Sequence, residues 1–173
     1  MLPIAVRKDC DVLVCGGGTA GVAAAIAAAR NGAETLLLER YGFCGGISVG
    51  ALVHTLDGLR SCRDNSRIVV GGIGLELVRN MEHIGGMATP DNPPECVTFH
   101  PEYFKLVADA MLCEAGVEVL YHLFVTAAVR EDARIGAVIA AGKEGLWEIR
   151  ARQVVDATGD GDVSAFAGAG FEK

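Results

Sequence analysis

Residues 11–39 read DVLVCGGGTAGVAAAIAAARNGAETLLLE, a strand, a glycine turn, a small-residue helix, a second strand and a terminal acid in one short unit. Val12, Leu13 and Val14 form an apolar strand, and Gly16, Gly18 and Gly21 then give G-x-G-x-x-G where a helix must begin. Gly16 permits the tight turn. Gly18 lets the backbone approach a pyrophosphate with no β-carbon in the way, and Gly21 lets the helix lie close on the sheet. The free N–H groups of the first helical turn, at Thr19 and Ala20 as well as the glycines, then face the phosphates together with the positive end of the helix dipole. The second strand ends at Glu39, whose carboxylate is placed to accept hydrogen bonds from ribose hydroxyls and to repel a 2′-phosphate, which disfavours NADP. The pattern is that of a dinucleotide site.

The rest of the composition sets bounds around this unit. The chain has 173 residues, enough for one domain with a real core, and half of it is apolar with few aromatics. A formal charge of −7 with no dense Lys/Arg cluster argues against nucleic acid or an anionic membrane as a partner. The N-terminal order is apolar then basic, the reverse of a signal peptide, and the most apolar run, 20–29, is about half the length that spans a bilayer. These features point to a cytoplasmic protein without a membrane span. The six cysteines, Cys10, Cys15, Cys44, Cys62, Cys96 and Cys113, show neither C-x-x-C nor zinc spacing, so no metal is expected. Cys10 and Cys15 lie at opposite ends of one strand and cannot bridge.

Beyond Glu39 a glycine-rich loop, RYGFCGGISVG at 40–50, leads into a region of mixed signals up to residue 98. Residues 73–84 carry an apolar face of Leu75, Leu77, Val78 and Met81 and read as a helix ended by Gly85 and Gly86. MATPDNPPE, at 87–95, is a proline loop. A second helix starts at His100-Pro101-Glu102 and runs to Glu114, stopped by Gly116, with Phe104, Val107, Ala108 and Met111 on one stripe. Residues 117–120 are the third parallel strand. Three short strands follow at 124–130, 135–141 and 146–149, an antiparallel meander, and a separate apolar strand at 153–156 leads into ATGDGD and a helix start.

Taken together, GGGTAG with Glu39, the pair Gly45-Gly46, EAGVEVLYHLFV at 114–125, the meander and VVDATGDGD at 154–162 resemble the N-terminal FAD-binding part of the two-dinucleotide-binding-domain flavoproteins, near the fumarate reductase flavoproteins. The resemblance implies an α/β fold, a Rossmann-like parallel sheet with a three-stranded antiparallel meander as crossover, incomplete as it stands. It implies one FAD-binding domain over 1–173, with sheet core 9–46, 100–121 and 153–173, an insertion at 47–99 and the meander at 123–150. FAD is the implied cofactor, with Gly16, Gly18 and Gly21 at its pyrophosphate and Glu39 at its ribose. The backbone of Val125 is implied to meet the adenine, and Thr158 and Gly159 the adenosine end. Gly45 and Gly46 donate to phosphate or ribitol or simply turn a loop. Ser48 either hydrogen-bonds the cofactor or caps a helix, and Arg40 beside Glu39 either stacks on adenine or is solvated. Asp160 or Asp162 reads as a helix N-cap, for Asp160 in preference to a cofactor contact.

The implied activity is hydride transfer between a small organic substrate and FAD, with catalytic residues unassigned. His54 reads as a loop or core histidine, and Arg60, Arg63 and Arg67 as a solvated loop. Relatives that hold FAD covalently use a histidine just before the glycine pair, where this chain has YGFC, so noncovalent binding is expected. Disulfide reductases of the wider superfamily place C-x-x-x-x-C after that pair, and ISVGALVHTL at 47–56 has no cysteine. Since the resemblance places a substrate domain beyond residue 173, the chain is expected to be a fragment, inactive alone and prone to homo-oligomerise through exposed apolar surface. Two other readings stay open, a NAD-dependent dehydrogenase and a non-catalytic nucleotide-binding module.

Overall fold

The computed structural model describes residues 4–61, 63, 67–88 and 96–172; Cys62 and most of the proline loop fall outside the described residues. The chain divides into two compact units, one of residues 1–44 and 112–173 and one of residues 45–111.

The first unit is a six-stranded sheet in the order β5 (Glu118–Tyr121), β2 (Thr35–Glu39), β1 (Ile4–Cys15), β8 (Gly145–Asp156), β7 (Arg134–Gly142) and β6 (Phe124–Glu131). Its parallel part consists of β1, β2, β5 and β8. The antiparallel part is β6 on β7 on β8. All five residues of β2 are buried, which is why its centre, Leu36-Leu37-Leu38, is apolar without alternation. Helix α1 (Thr19–Arg30) crosses from β1 to β2 and buries Gly21, Val22, Ala25 and Ile26. Alanine at most other positions keeps that helix thin enough to lie close on the strands, and Arg30 in its last turn complements the dipole. This α/β architecture with a meander crossover is the fold expected from the sequence.

Two strand boundaries differ from that expectation. β1 begins at Ile4, well before the apolar core at Val12, because Ile4, Val6, Lys8 and Cys10 alternate inward with outward Ala5, Arg7 and Asp9. The third meander strand and the returning parallel strand are one element, β8, since no Gly or Pro interrupts Arg150-Ala151-Arg152. β1 and β8 pair from Ile4↔Leu146 to Cys15↔Asp156, with one irregularity between Ile4 and Val6, so each long strand supplies the partner the other needs.

In the second unit, α2 (Ile47–Gly50) follows the glycine pair, β3 (Thr55–Asp57) pairs antiparallel with β4 (Cys96–Thr98), and α3 (Ile73–His83) buries Leu77, Val78 and Met81. Helix α4 (Pro101–Ala115) carries Phe104, Val107, Ala108 and Met111 into the core, and the Phe104 ring meets Phe99 with centroids 5.5 Å apart. Among the described residues no helix is long and apolar enough to cross a membrane.

Candidate functional site

At the end of β1 the chain turns through Gly16, whose φ of +105° is open to glycine and strained for any other residue. Its N–H donates to the Leu38 carbonyl at 2.8 Å, tying the turn to β2. A β-carbon at Gly16 would overlap the Ala157 carbonyl oxygen, and one at Gly21 would overlap the carbonyl oxygen of Gly16. The first and third glycines of the fingerprint therefore serve close backbone approach inside the fold.

Gly18 is the N-cap of α1, and its carbonyl accepts the first helical bond, from Val22 N–H at 2.9 Å. No side chain caps this end and its first turn holds no acid. The opening N–H groups of a helix have no intrahelical acceptor. Thr19 and Ala20 are exposed, so these donors and the positive end of the dipole face outward. This is where the chain fits a pyrophosphate: a glycine-lined turn, open donors, and no protein anion in the first turn to compete.

Glu39 is 5% exposed. Its Oε2 accepts the Gly17 N–H at 2.8 Å and its Oε1 accepts the Tyr41 N–H at 2.8 Å. A carboxylate has about four acceptor sites, so the remainder can still receive ribose hydroxyls. A β-carbon at Gly17 would come within 2.9 Å of both Glu39 Oε2 and Cys44 Sγ. Gly17, an x of the fingerprint, was not singled out from the sequence; the extra glycine in GGG was the available signal. Cys44 is buried, and its sulfur lies 3.6 Å from the Tyr121 hydroxyl. Arg40 is exposed with its guanidinium 4.9 Å from the Tyr41 ring centroid, and that ring stacks on Phe43 at 5.6 Å.

Across the sheet, the end of β8 holds a residue that sequence reasoning passed over. Asp156 Oδ1 accepts from Thr158 N–H at 3.3 Å and Thr158 Oγ1 at 2.7 Å, while its Oδ2 accepts from Ser164 N–H at 2.8 Å and Ser164 Oγ at 2.7 Å. Thr158 Oγ1 in turn accepts the Asp162 N–H at 2.8 Å. Two opening N–H groups of helix α5 (Asp162–Phe166), those of Asp162 and Ser164, are therefore satisfied by Thr158 and Asp156, and its N-cap is Gly161 with no side-chain bond. This corrects the expected cap at Asp160 or Asp162. Burial pushes the Asp156 carboxyl up, but the bonds from Ser164 and Thr158 outweigh it and hold it below the ordinary aspartate value. Since the Thr158 hydroxyl already serves this network, what the Thr158-Gly159 turn can offer a ligand is mainly backbone and shape; Gly159 faces open space.

Val125 is buried in β6, opposite Ala140 of β7, and β6 is an edge strand, with main-chain groups along its other side. In the second unit, Gly46 is the N-cap of α2 and Ser48 is a buried residue inside that helix, so the alternative of Ser48 as the cap is overturned. A β-carbon at Gly45 would crowd Val49 and Phe104. His54 is an exposed loop residue whose Nδ1 lies 2.7 Å from the Leu52 carbonyl oxygen.

A family model described as FAD dependent oxidoreductase matches residues 11–173. Digeranylgeranylglycerophospholipid reductase 1 of Methanopyrus kandleri is 31% identical over 156 residues, covering 86% of this chain and 39% of that protein. The chain thus spans about two fifths of the length of the curated relatives it matches, 39% and 37% for two of them. Among solved structures, a geranylgeranyl bacteriochlorophyll reductase-like protein from Thermoplasma acidophilum superposes with a TM-score of 0.68 at 18% identity, covering 94% of this chain and 42% of that one. The open conformation of a flavocytochrome c3 fumarate reductase gives 0.60 at 19% identity, covering 86% and 33%. At these identities the structural likeness is one of fold.

Proposed function

The chain belongs to the FAD dependent oxidoreductase family, and from that premise we propose that it is the FAD-binding region of an enzyme that passes a hydride between a small organic substrate and FAD. The observation that carries this reading is the start of α1, an uncapped, acid-free helix end set on the Gly16 turn. There the N–H groups of Gly18, Thr19 and Ala20 would hold the pyrophosphate, with Gly21 buried beneath them to let the helix lie close on the turn. Glu39 keeps two acceptances for the fold and turns its remaining lone pairs to the ribose, which selects against a 2′-phosphate. The main chain of the edge strand β6 at Val125 would meet the adenine. FAD, when bound, supplies the two-electron acceptor that side chains lack.

The test is titration of the purified chain with FAD and with NAD, followed by flavin fluorescence and thermal unfolding. Saturating FAD raises the unfolding free energy, by about 2.7 kcal/mol at a hundredfold excess over Kd. Preference for NAD would move the chain to the nicotinamide dehydrogenases, and binding of neither would remove the functional reading. The reading includes self-association through exposed apolar residues such as Leu52, Val53, Val69 and Val70, for which sedimentation is the check.

A further inference from the structure

We infer that Asp156 is a positioning residue for the phosphate turn, acting through the Ala157–Thr158 backbone, and that α5 is thereby part of what sets affinity for the cofactor; the inference rests on the reading of that turn as the pyrophosphate site. Three observations join to carry it. Asp156 takes four hydrogen bonds, two from Thr158 and two from Ser164, and so fixes the backbone on both sides of its own peptide chain reversal. That backbone is the wall of the glycine turn: a β-carbon at Gly16 would overlap the Ala157 carbonyl oxygen and come to 3.0 Å from Thr158 Cα, and one at Gly21 would stand 3.3 Å from Ala157 Cβ. Ala157 N–H also donates to the Cys15 carbonyl at 2.8 Å, one residue before Gly16. The contact is backbone against backbone, with no flexible side chain between to absorb a shift. Movement of residues 157–158 therefore changes the room available to Gly16 and the aim of the donors that follow it.

Asparagine at 156 keeps the shape and offers one acceptor oxygen, so the backbone N–H of either Thr158 or Ser164 loses its acceptor. Ser164 is exposed on α5 and donates both its N–H and its hydroxyl to Asp156, which makes it the cleaner probe. Asp156→Asn is expected to weaken FAD binding by roughly tenfold or more and Ser164→Ala by a few fold, whereas Ser164→Thr, which restores the hydroxyl, stays within about twofold of the parent. Amide hydrogen exchange on the ligand-free chain supplies a second readout. Asp156→Asn, or Ser164→Ala if the first variant does not fold, should speed exchange at Gly16 and Gly17 as well as at Thr158 and Asp162. Faster exchange confined to residues 158–164, with the glycine turn unmoved, would overturn the inference and leave Asp156 as a clamp for α5 alone. If the parent chain binds no FAD, the functional reading falls while the exchange pattern still decides the positioning role.

Discussion

Glu39→Gln separates two roles that one carboxylate combines. In the structure both oxygens accept backbone N–H groups at 2.8 Å, from Gly17 and from Tyr41, and the side chain is 5% exposed. Glutamine has nearly the same shape but only one acceptor oxygen. Its amide nitrogen must oppose either the Gly17 or the Tyr41 N–H, leaving a backbone donor unpaired at a cost of about 1–3 kcal/mol. The surviving bond loses its charge assistance, worth about 1 kcal/mol more. The sum, roughly 2–4 kcal/mol, lowers the melting temperature of a chain of this size by about 5–15 °C, with no cofactor present. Thermal unfolding of the ligand-free protein by circular dichroism reads this directly. A variant that melts within about 1 °C of the parent while losing FAD would refute the reasoning, because the carboxylate would then act on the ribose alone.

Thr19→Asp should move binding and stability in opposite directions: an acid in the exposed first turn of α1 favours the dipole by about 0.3–1 kcal/mol yet repels a pyrophosphate, as unfolding and FAD titration would show. Gly21→Ala, which drives a β-carbon into the Gly16 carbonyl, should cost about 3 kcal/mol or more in chemical denaturation and lower the soluble yield. Asp156 has a folded value depressed below 3.8, so its stabilising contribution is complete above that pH and disappears as pH falls through the lower folded value; acid titration of the parent and of Asp156→Asn should converge only below about pH 4. Burial, with Asp156 nearby, pushes the Cys15 thiol up to about 12, and burial with Glu34 and Asp11 pushes Cys10 up to about 11. Alkylation at pH 8 should therefore label exposed Cys113 and leave Cys10 and Cys15 unmodified until denaturant is added, as peptide mass spectrometry would report.

The sequence was most readable where local pattern and tertiary demand coincide. TLLLE and the alanine-rich α1 show their burial because a parallel strand covered on both faces and a helix pressed on it tolerate little polar surface. The first half of β1 was not readable that way, since Arg7, Lys8 and Asp9 dilute an alternation that becomes a strand only when β8 pairs along its length. The same dependence hid the continuity of β8 through Arg150 and Arg152. Gly17 and Asp156 escaped for another reason: Gly17 is defined by Glu39, well away in sequence, and Asp156 by a hydrogen-bond network with Thr158 and Ser164 that matters only because the distant Gly16 turn packs against the same backbone. No spacing rule carries that information.

Glu39 and Asp156 also resolve an electrostatic difficulty in the proposed site. The strand order β2-β1-β8 brings a carboxylate to the end of each strand flanking the glycine turn, Glu39 on one side and Asp156 on the other, although the ligand proposed for that turn is anionic. Unshielded, two such charges would oppose a pyrophosphate. Glu39 instead accepts two backbone N–H groups, and Asp156 accepts two N–H and two hydroxyl donors, so each negative charge is already met by protein dipoles. The donors at the start of α1 are the ones without such partners within the helix. The turn is thus held on both flanks by acceptors whose charge is turned into the fold, and its opening is left to donors; removing either carboxylate should loosen the turn before it relieves any repulsion.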